Sequence, residues 1–303
     1  MARIQLLSPA QRMQLFSLSE EMSQKDIIRY YTFSSADLAV IHEQRAKHNQ
    51  LGFAVQLAYH RFPGRPFQMD EPVSTPVLEY VAAQLHISPT AFAQYGKRDV
   101  TRREHAAKIQ KLFRYRQWNR ETEVELEPLL QELAQQTENG MRLTTALLEQ
   151  MRKRQVLLPA ASTIEQFISQ VRAQAENLIF TQLTTSVSVT QRKQLDALLA
   201  VEGGRETKFS WLKGFPRRPA ATSILNIIDR IAYLNELAVS PDLGKNIAPQ
   251  RLAILARAAT RYTAQHLLRL GTRERHARLV AFVVEFRKEL IDQIIGMHDK
   301  LIG

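Results

Sequence analysis

KRDVTRREHAAKIQKLFRYR, residues 97–116, holds eight Lys or Arg side chains against two acids. Thr101 and Glu104 are spaced as a T-x-x-E capping box, which predicts a helix start. At about 100° per residue, Ala106, Ile109 and Phe113 fall on one stripe with Leu112 at its edge. Arg103, Lys108, Lys111 and Arg114 fall on the opposite side. One face can rest on a core while the other presents a ridge of positive charge suited to phosphates. A solvated surface helix gives the same pattern, so the flanking sequence has to decide between them.

Upstream lies VLEYVAAQLHISPTAFAQYG, residues 77–96. Residues 77–85 read as a helix, Ser88 as a cap, Pro89 as a first helical residue and Gly96 as a stop. That outline matches a helix-turn-helix, and a plain αα-hairpin matches it equally. Further back, Ser8-Pro9 opens a helix ending near Leu18, and Ser23 or Gln24 opens a second with Ile27, Ile28 and Tyr31. Ser35 caps a third that runs through Leu38, Ile41 and Arg45. A fourth carries Phe53, Ala54, Leu57 and Ala58 and stops at Pro63-Gly64, after which residues 63–76 hold four prolines and read as extended loop.

Downstream, Glu121, Glu123, Glu125, Glu127, Glu132 and Glu138 follow the ridge, and Glu138-Asn139-Gly140 marks a domain boundary. Residues 143–154 form a helix ending in Met151-Arg152-Lys153-Arg154. Ser162 and Glu165 form a second capping box for a long helix carrying Ile164, Phe167, Ile168, Val171, Leu178 and Ile179. Residues 202–219 and 239–249 are loop-rich breaks between helices around 222–237, 249–268 and 274–300, and only Thr185 to Val189 hints at a strand. The fold class is all-α, with two or three helical domains. Residues 1–138 form a DNA-binding domain with the ridge, and residues 139–303 a second helical region, DNA-binding to about 220 and then an interaction segment.

Charge agrees with a polyanionic partner. The 303 residues carry 41 Lys or Arg against 30 acids, a net +11 with a pI near 10.0. The excess is uneven: +1 over residues 1–150 and +10 over residues 151–303. With no cysteine, disulfides, thiolate nucleophiles and Cys-based zinc sites are excluded. The N-terminus lacks a signal-peptide core, and LVAFVV at 279–284 is too short to span a bilayer. The expectation is a soluble cytoplasmic, nucleoid-associated protein with no membrane partner.

No catalytic site is legible. HEQRAKH at 42–48 fails the zincin spacing, because position 46 is Ala and His42 and His48 face different sides of one helix. A phosphate-binding G-x-x-x-x-G-K-[ST] loop and a G-x-S-x-G elbow are both missing, and Gly203-Gly204 lacks a following Lys. No catalytic residue, metal ligand or cofactor is assigned. What remains is charge among aromatics: Phe209, Trp211 and Phe215 interleave with Lys208, Lys213, Arg217 and Arg218. Such a cluster can stack bases or clamp phosphates, although a Trp at 211 equally anchors a loop on a core.

DLAVIHEQRAKHNQLGFAVQLAYHRFPGRPF at 37–67 resembles the N-terminal signature of transposases of the Tn-three family, the replicative class II elements. Arg45, His48, Asn49, Leu51, Gly52, Phe53, Ala54, Gln56, Leu57, Arg61, Pro63, Gly64 and Arg65 carry the similarity. TRREH at 101–105, LLPAASTIE at 157–165, TAQHL at 263–267 and the closing DQIIGMHDKLIG extend it in order along the chain. The resemblance implies a helical region that binds the terminal inverted repeats of a transposon. It also implies a longer protein whose metal-dependent DDE domain lies beyond this region, so no catalytic acid is carried over.

The expected function is sequence-specific binding of double-stranded DNA at a transposon end. Lys97, Arg98, Arg102, Arg103, Lys108, Lys111 and Arg114 are the ridge candidates. Arg45, His48, Asn49, Arg61 and Arg65 come next, since Asn suits adenine and Arg suits guanine. Arg152, Lys153, Arg154, Lys208, Lys213, Arg217 and Arg218 are the candidates of the second region. Gln56 is read as a packing hydrogen bond and Gly52 as a close helix approach. The alternative is a scaffold region in which the apolar helices 163–183 and 274–300 form a homodimer of the full-length protein and DNA affinity is non-specific.

Overall fold

Ten consecutive residues, Leu51 to His60, are buried, and the first core forms around them. A helix apolar on every side belongs inside a bundle. The computed structural model describes residues 6–16, 22–68, 71–95, 99–201 and 206–302. In chain order the first helices are α1 (Pro9–Phe16), α2 (Gln24–Tyr31), α3 (Ser35–His42), and α4 (Lys47–Arg61), which carries the buried run. Then come α5 (Thr75–Leu85), a 3-10 helix (Pro89–Gln94) and α6 (Asp99–Leu112). Ile27 and Tyr31 from α2, Ile41 from α3, Val77, Val81 and Ala82 from α5 and Ile109 from α6 close around α4. Gly52 is required here, because a Cβ would lie 2.0 Å from the Tyr95 ring. Gln56 fastens the loop after α4: its Oε1 accepts the Phe67 N–H at 3.1 Å and its Nε2 donates to the Phe67 carbonyl at 3.4 Å.

The chain continues through α7 (Arg120–Gln136), α8 (Gly140–Lys153), α9 (Ala161–Thr185), α10 (Val189–Ala197), α11 (Lys208–Lys213) and α12 (Ala221–Glu236). A 3-10 turn (Pro241–Gly244) leads to α13 (Pro249–Arg261), α14 (Ala264–Arg269) and α15 (Thr272–Ile302). The second core is built on α15, whose residues from His276 to Val284 are all buried. Its Phe282 and Phe286 stack at 4.8 Å, and Phe209 meets Phe282 edge-on at 5.0 Å. The chain divides into two compact units: residues 1–130 with 139–170, and residues 131–138 with 171–303. By this division the first unit carries 21 basic and 16 acidic residues and the second 20 and 14, so both are basic. No strand occurs among the described residues, and the fold is all-α.

Several local expectations are corrected. Thr101 is not a cap, because α6 already includes Asp99, whose carboxylate in the first turn holds Arg102 and Arg103 and complements the helix dipole. The buried face of α6 is Arg102, His105 and Ile109, and Ala106 and Phe113 are only half-buried. The cap of α3 is Ser34, in a capping box with Asp37, one residue before the expected Ser35. Glu165 does not close a box with Ser162; it pairs with Arg12. The second half of the helix-turn-helix outline is a six-residue 3-10 helix, and the Ser88 hydroxyl bonds Thr90 without capping the backbone. Its predicted stop, Gly96, lies outside the described residues, as do Gly203 and Gly204. Thr185 to Val189 is a helix end and a new cap at Ser188, and the break at 202–219 contains α11, capped by Thr207. Helix 249–268 is two helices, because Thr263 recaps the chain. His42 and His48 belong to two helices, α3 and α4.

Candidate nucleic-acid interface

Among the described residues, four helices of the first unit carry Lys or Arg in the last turn: Arg29 in α2, Arg61 in α4, Lys111 in α6 and Arg152 with Lys153 in α8. Cations in a last turn complement the negative end of a helix, which explains their placement locally. The ends of α4, α6 and α8 are also tied together. Helices α6 and α8 finish in the same motif, with Arg114 (φ 54°) and Gln155 (φ 55°) in the left-handed region. The next N–H closes a six-residue ring in each, from Tyr115 to the Gln110 carbonyl at 2.9 Å and from Val156 to the Met151 carbonyl at 2.9 Å. The emerging tails pair as a single parallel bridge: Arg116 N–H donates to Gln155 O and Leu157 N–H to Arg116 O, both at 2.8 Å. Leu158 N–H then donates to Gly64 O at 2.8 Å, which brings in the turn after α4.

Within this junction one carboxylate is shared between two arginines and two others hold one arginine each. Glu125 receives Arg116 at 2.9 Å and Arg154 at 2.8 Å, and the two guanidiniums hold its carboxyl below the usual range. Arg61 pairs with Asp37 at 2.7 Å, donates to the Thr32 carbonyl at 3.1 Å and lies over the Phe33 ring. Arg65 grips Glu71 through two bonds, at 2.6 and 2.7 Å. These four arginines therefore also build the fold. Lys111, Arg114 and Lys153 are exposed and have no ion pair among the described residues. Arg152 sits 4.6 Å over the Phe62 ring, half-buried.

The ridge of α6 is less free than its sequence suggests. Arg102 is buried against Asp99 at 2.8 Å, and the exposed Arg103 reaches the same carboxylate at 2.5 Å. Lys108 pairs with Glu43 at 3.0 Å and lies over Phe53. His105 is a core residue: its ring stacks on Tyr95 and meets Phe53 edge-on, and burial beside Lys108 lowers its pKa to about 4. Lys97 and Arg98 lie outside the described residues. His48 and Asn49 lie in the first turn of α4, a 15-residue helix, and Arg45 just before its cap, so roughly 20 Å of helix at 1.5 Å per residue separates them from the junction.

In the second unit the basic–aromatic segment is mostly an internal clamp. Lys213 donates to the Thr260 carbonyl at 3.2 Å and the Tyr262 carbonyl at 2.9 Å, capping the end of α13, and its burial lowers its pKa. Arg230, which sequence reasoning missed, is buried 4.4 Å over Trp211 and donates to the carbonyls of Trp211 at 3.2 Å and Asn226 at 3.0 Å. Trp211 therefore anchors the loop. Lys208, Arg217 and Arg218 remain exposed, the first over Trp211 and Tyr233 and the second over Phe215.

Residues 6–171 match the family model described as a domain of unknown function, DUF4158. The chain belongs to this family. The DUF4158 match contains the junction with Arg29, Lys111, Arg114 and Arg152 to Arg154, and ends before Lys208. The whole chain is 35% identical over 304 residues to the transposase for transposon Tn3926 of Escherichia coli, covering 30% of that protein. It is 35% identical over 303 residues to the transposase for transposon Tn501 of Pseudomonas aeruginosa, again 30% of that protein. The transposase for transposon gamma-delta of Escherichia coli (strain K12) is 29% identical over 310 residues, covering 99% of this chain and 30% of that protein. The chain thus spans about 30% of the length of these relatives. It corresponds to an N-terminal region of Tn-three-family transposases. Among the described residues no cluster of His, Asp and Glu could hold a metal ion, and no helix is long and apolar enough to cross a membrane.

Proposed function

We propose that this chain binds double-stranded DNA, specifically the terminal inverted repeat of a transposon, as the N-terminal part of a DDE transposase. The observation that carries the reading is the junction of helix ends in the first unit, where Lys111, Arg114 and Lys153, without ion pairs among the described residues, neighbour along the chain Arg116 and Arg154, which share Glu125. Phosphate can replace a carboxylate as a guanidinium partner, so such a surface is ready to exchange an internal partner for a DNA backbone. Arg45, His48 and Asn49 form a second contact at the start of α4, and Asn49 is the residue suited to read a base edge. Lys208, Arg217 and Arg218 add backbone contacts from residues 139–220, the second DNA-binding region. The protein works in the bacterial cytoplasm at the nucleoid.

Footprinting the chain on a duplex carrying the cognate repeat tests the reading. A protected tract inside the repeat, with at least tenfold weaker binding to random duplex, is the expected result. Equal affinity for both duplexes sinks sequence specificity. The reading assigns no strand cutting to this chain, so magnesium should leave the DNA intact. A scaffold role has one observation in its favour: Ile291, Ile295 and Ile302 are exposed along one face of the end of α15. Sedimentation showing a dimer that Ile295→Glu disrupts would support it.

A further inference from the structure

Arg152 is a cation without an ion-pair partner among the described residues. Its guanidinium lies half-buried on Phe62, its Nε is buried with no hydrogen-bond partner, and no carboxylate among the described residues pairs with it. Arg29, on the last turn of α2, belongs to the same cluster. It lies 5.3 Å over the Tyr30 ring, and Tyr30 stacks on Phe62 with centroids 4.7 Å apart. Two arginines thus share one aromatic platform. Glu149, one turn before Arg152 on α8, is the carboxylate whose field reaches it, and the two form no ion pair. The loss of water around Arg152 acts most strongly against its charged form, and the charge of Arg29 adds to it. A guanidinium cannot release its proton in this range, so the cost stays in the folded protein until an anion arrives.

We propose that Arg29 and Arg152 together seat one phosphodiester group of a nucleic-acid backbone, with the Tyr30–Phe62 stack holding both guanidiniums in place. Planar guanidiniums bind phosphate oxygens in pairs, and an aromatic face fixes their planes before the ligand arrives. Phe62 precedes Pro63-Gly64, and Arg152 precedes the 155–158 segment bonded to that turn, so the pair sits at the edge of the proposed DNA-binding junction. The inference rests on the DNA-binding reading and adds to it a residue, Arg29, that no sequence pattern marked.

Three variants of the full chain test it: Arg29→Ala, Arg152→Gln and the double. Each single change should weaken binding to cognate and random duplex alike by about tenfold, as loss of a charged hydrogen bond does. The double should flatten the log–log salt dependence by about 0.9, one phosphate's worth. Without DNA, Arg152→Gln should melt no lower than the wild type, since it removes a cation that has no ion-pair partner. Sodium phosphate should raise the melting temperature of the wild type above that in sodium chloride of equal ionic strength, and the double variant should lose that rise. Unchanged affinity and slope in the double overturn the inference and leave the DNA reading standing. Weaker binding accompanied by a lower melting temperature without DNA also overturns it, because Arg152 is then structural. If the wild type binds no duplex at low salt, the DNA reading itself fails. The phosphate-dependent rise then decides whether the pair is a phosphate site: present in the wild type and lost in the double, it is; absent, it is not.

Discussion

Residues 99–116 and 206–218 are alike in sequence, each a run of Lys and Arg among aromatics, and they differ in what holds the cations. On α6 the partners are carboxylates: Asp99 for Arg102 and Arg103, and Glu43 for Lys108. Around α11 the partners are carbonyls and rings: Thr260 and Tyr262 for Lys213, and Trp211 and Asn226 for Arg230. Arg102 is buried in its pair, but the solvated pairs of Arg103 and Lys108 are weak and can be exchanged for a phosphate. A buried carbonyl left without its donor is costly. The first arrangement is therefore open to a ligand, whereas much of the second is committed to the fold.

The sharpest way to break this contrast is Arg230→Ala. It removes a buried guanidinium, its bonds to the Trp211 and Asn226 carbonyls and its stacking on Trp211, and should cost on the order of 3 kcal/mol in urea unfolding, with no change in the salt dependence of DNA binding. A loss under about 1 kcal/mol would show that Arg230 is not the clamp. Acid is the next test, and it acts on the first unit. The folded pKa of His105 is depressed from 6.5 to about 4, so its contribution is complete above pH 6.5 and lost as pH falls towards 4. After allowance for solvent screening, about 2 kcal/mol should disappear over that range, and His105→Phe should flatten the profile. An equal acid loss in that variant would place the titrating group elsewhere. Lys213→Met should cost about 1–2 kcal/mol and leave DNA affinity unchanged. Weakened DNA binding without lost stability would move Lys213 to the interface. Smallest is Lys108→Ala, whose half-exposed pair with Glu43 should be worth no more than about 0.5–1 kcal/mol in a denaturant midpoint.

The helices themselves were legible where periodicity and a cap agreed, as at Ser23, and α4, which has no side-chain cap, was legible from its apolar residues alone. The ends of α5 and α8 were placed to within a residue, at 85 and 154, but the left-handed position that closes a helix was not legible where its residue is not glycine. Arg114, Gln155 and His86 occupy it at the ends of α6, α8 and α5, so the usual stop signal is missing. The junction was hidden for the same reason. Arg116 and Val156 are forty residues apart and meet only through backbone bonds, which carry no side-chain pattern. Composition showed the cations but not their partners, and Arg29 stood out by no spacing at all. TRREH shows a further limit, since its Arg102 and His105 are buried, so similarity there reflects the core as much as a ligand.

The central claim is that exposed and exchangeable cations of the first unit contact DNA phosphates. The most direct measurement is the salt dependence of duplex affinity for the chain and for Lys108→Ala/Lys111→Ala. With roughly eight phosphates contacted, the log–log slope should be about −7, and the variant should flatten it by about 1 to 2 while weakening cognate and random duplexes alike. An identical slope in the variant would contradict the claim and remove α6 from the interface.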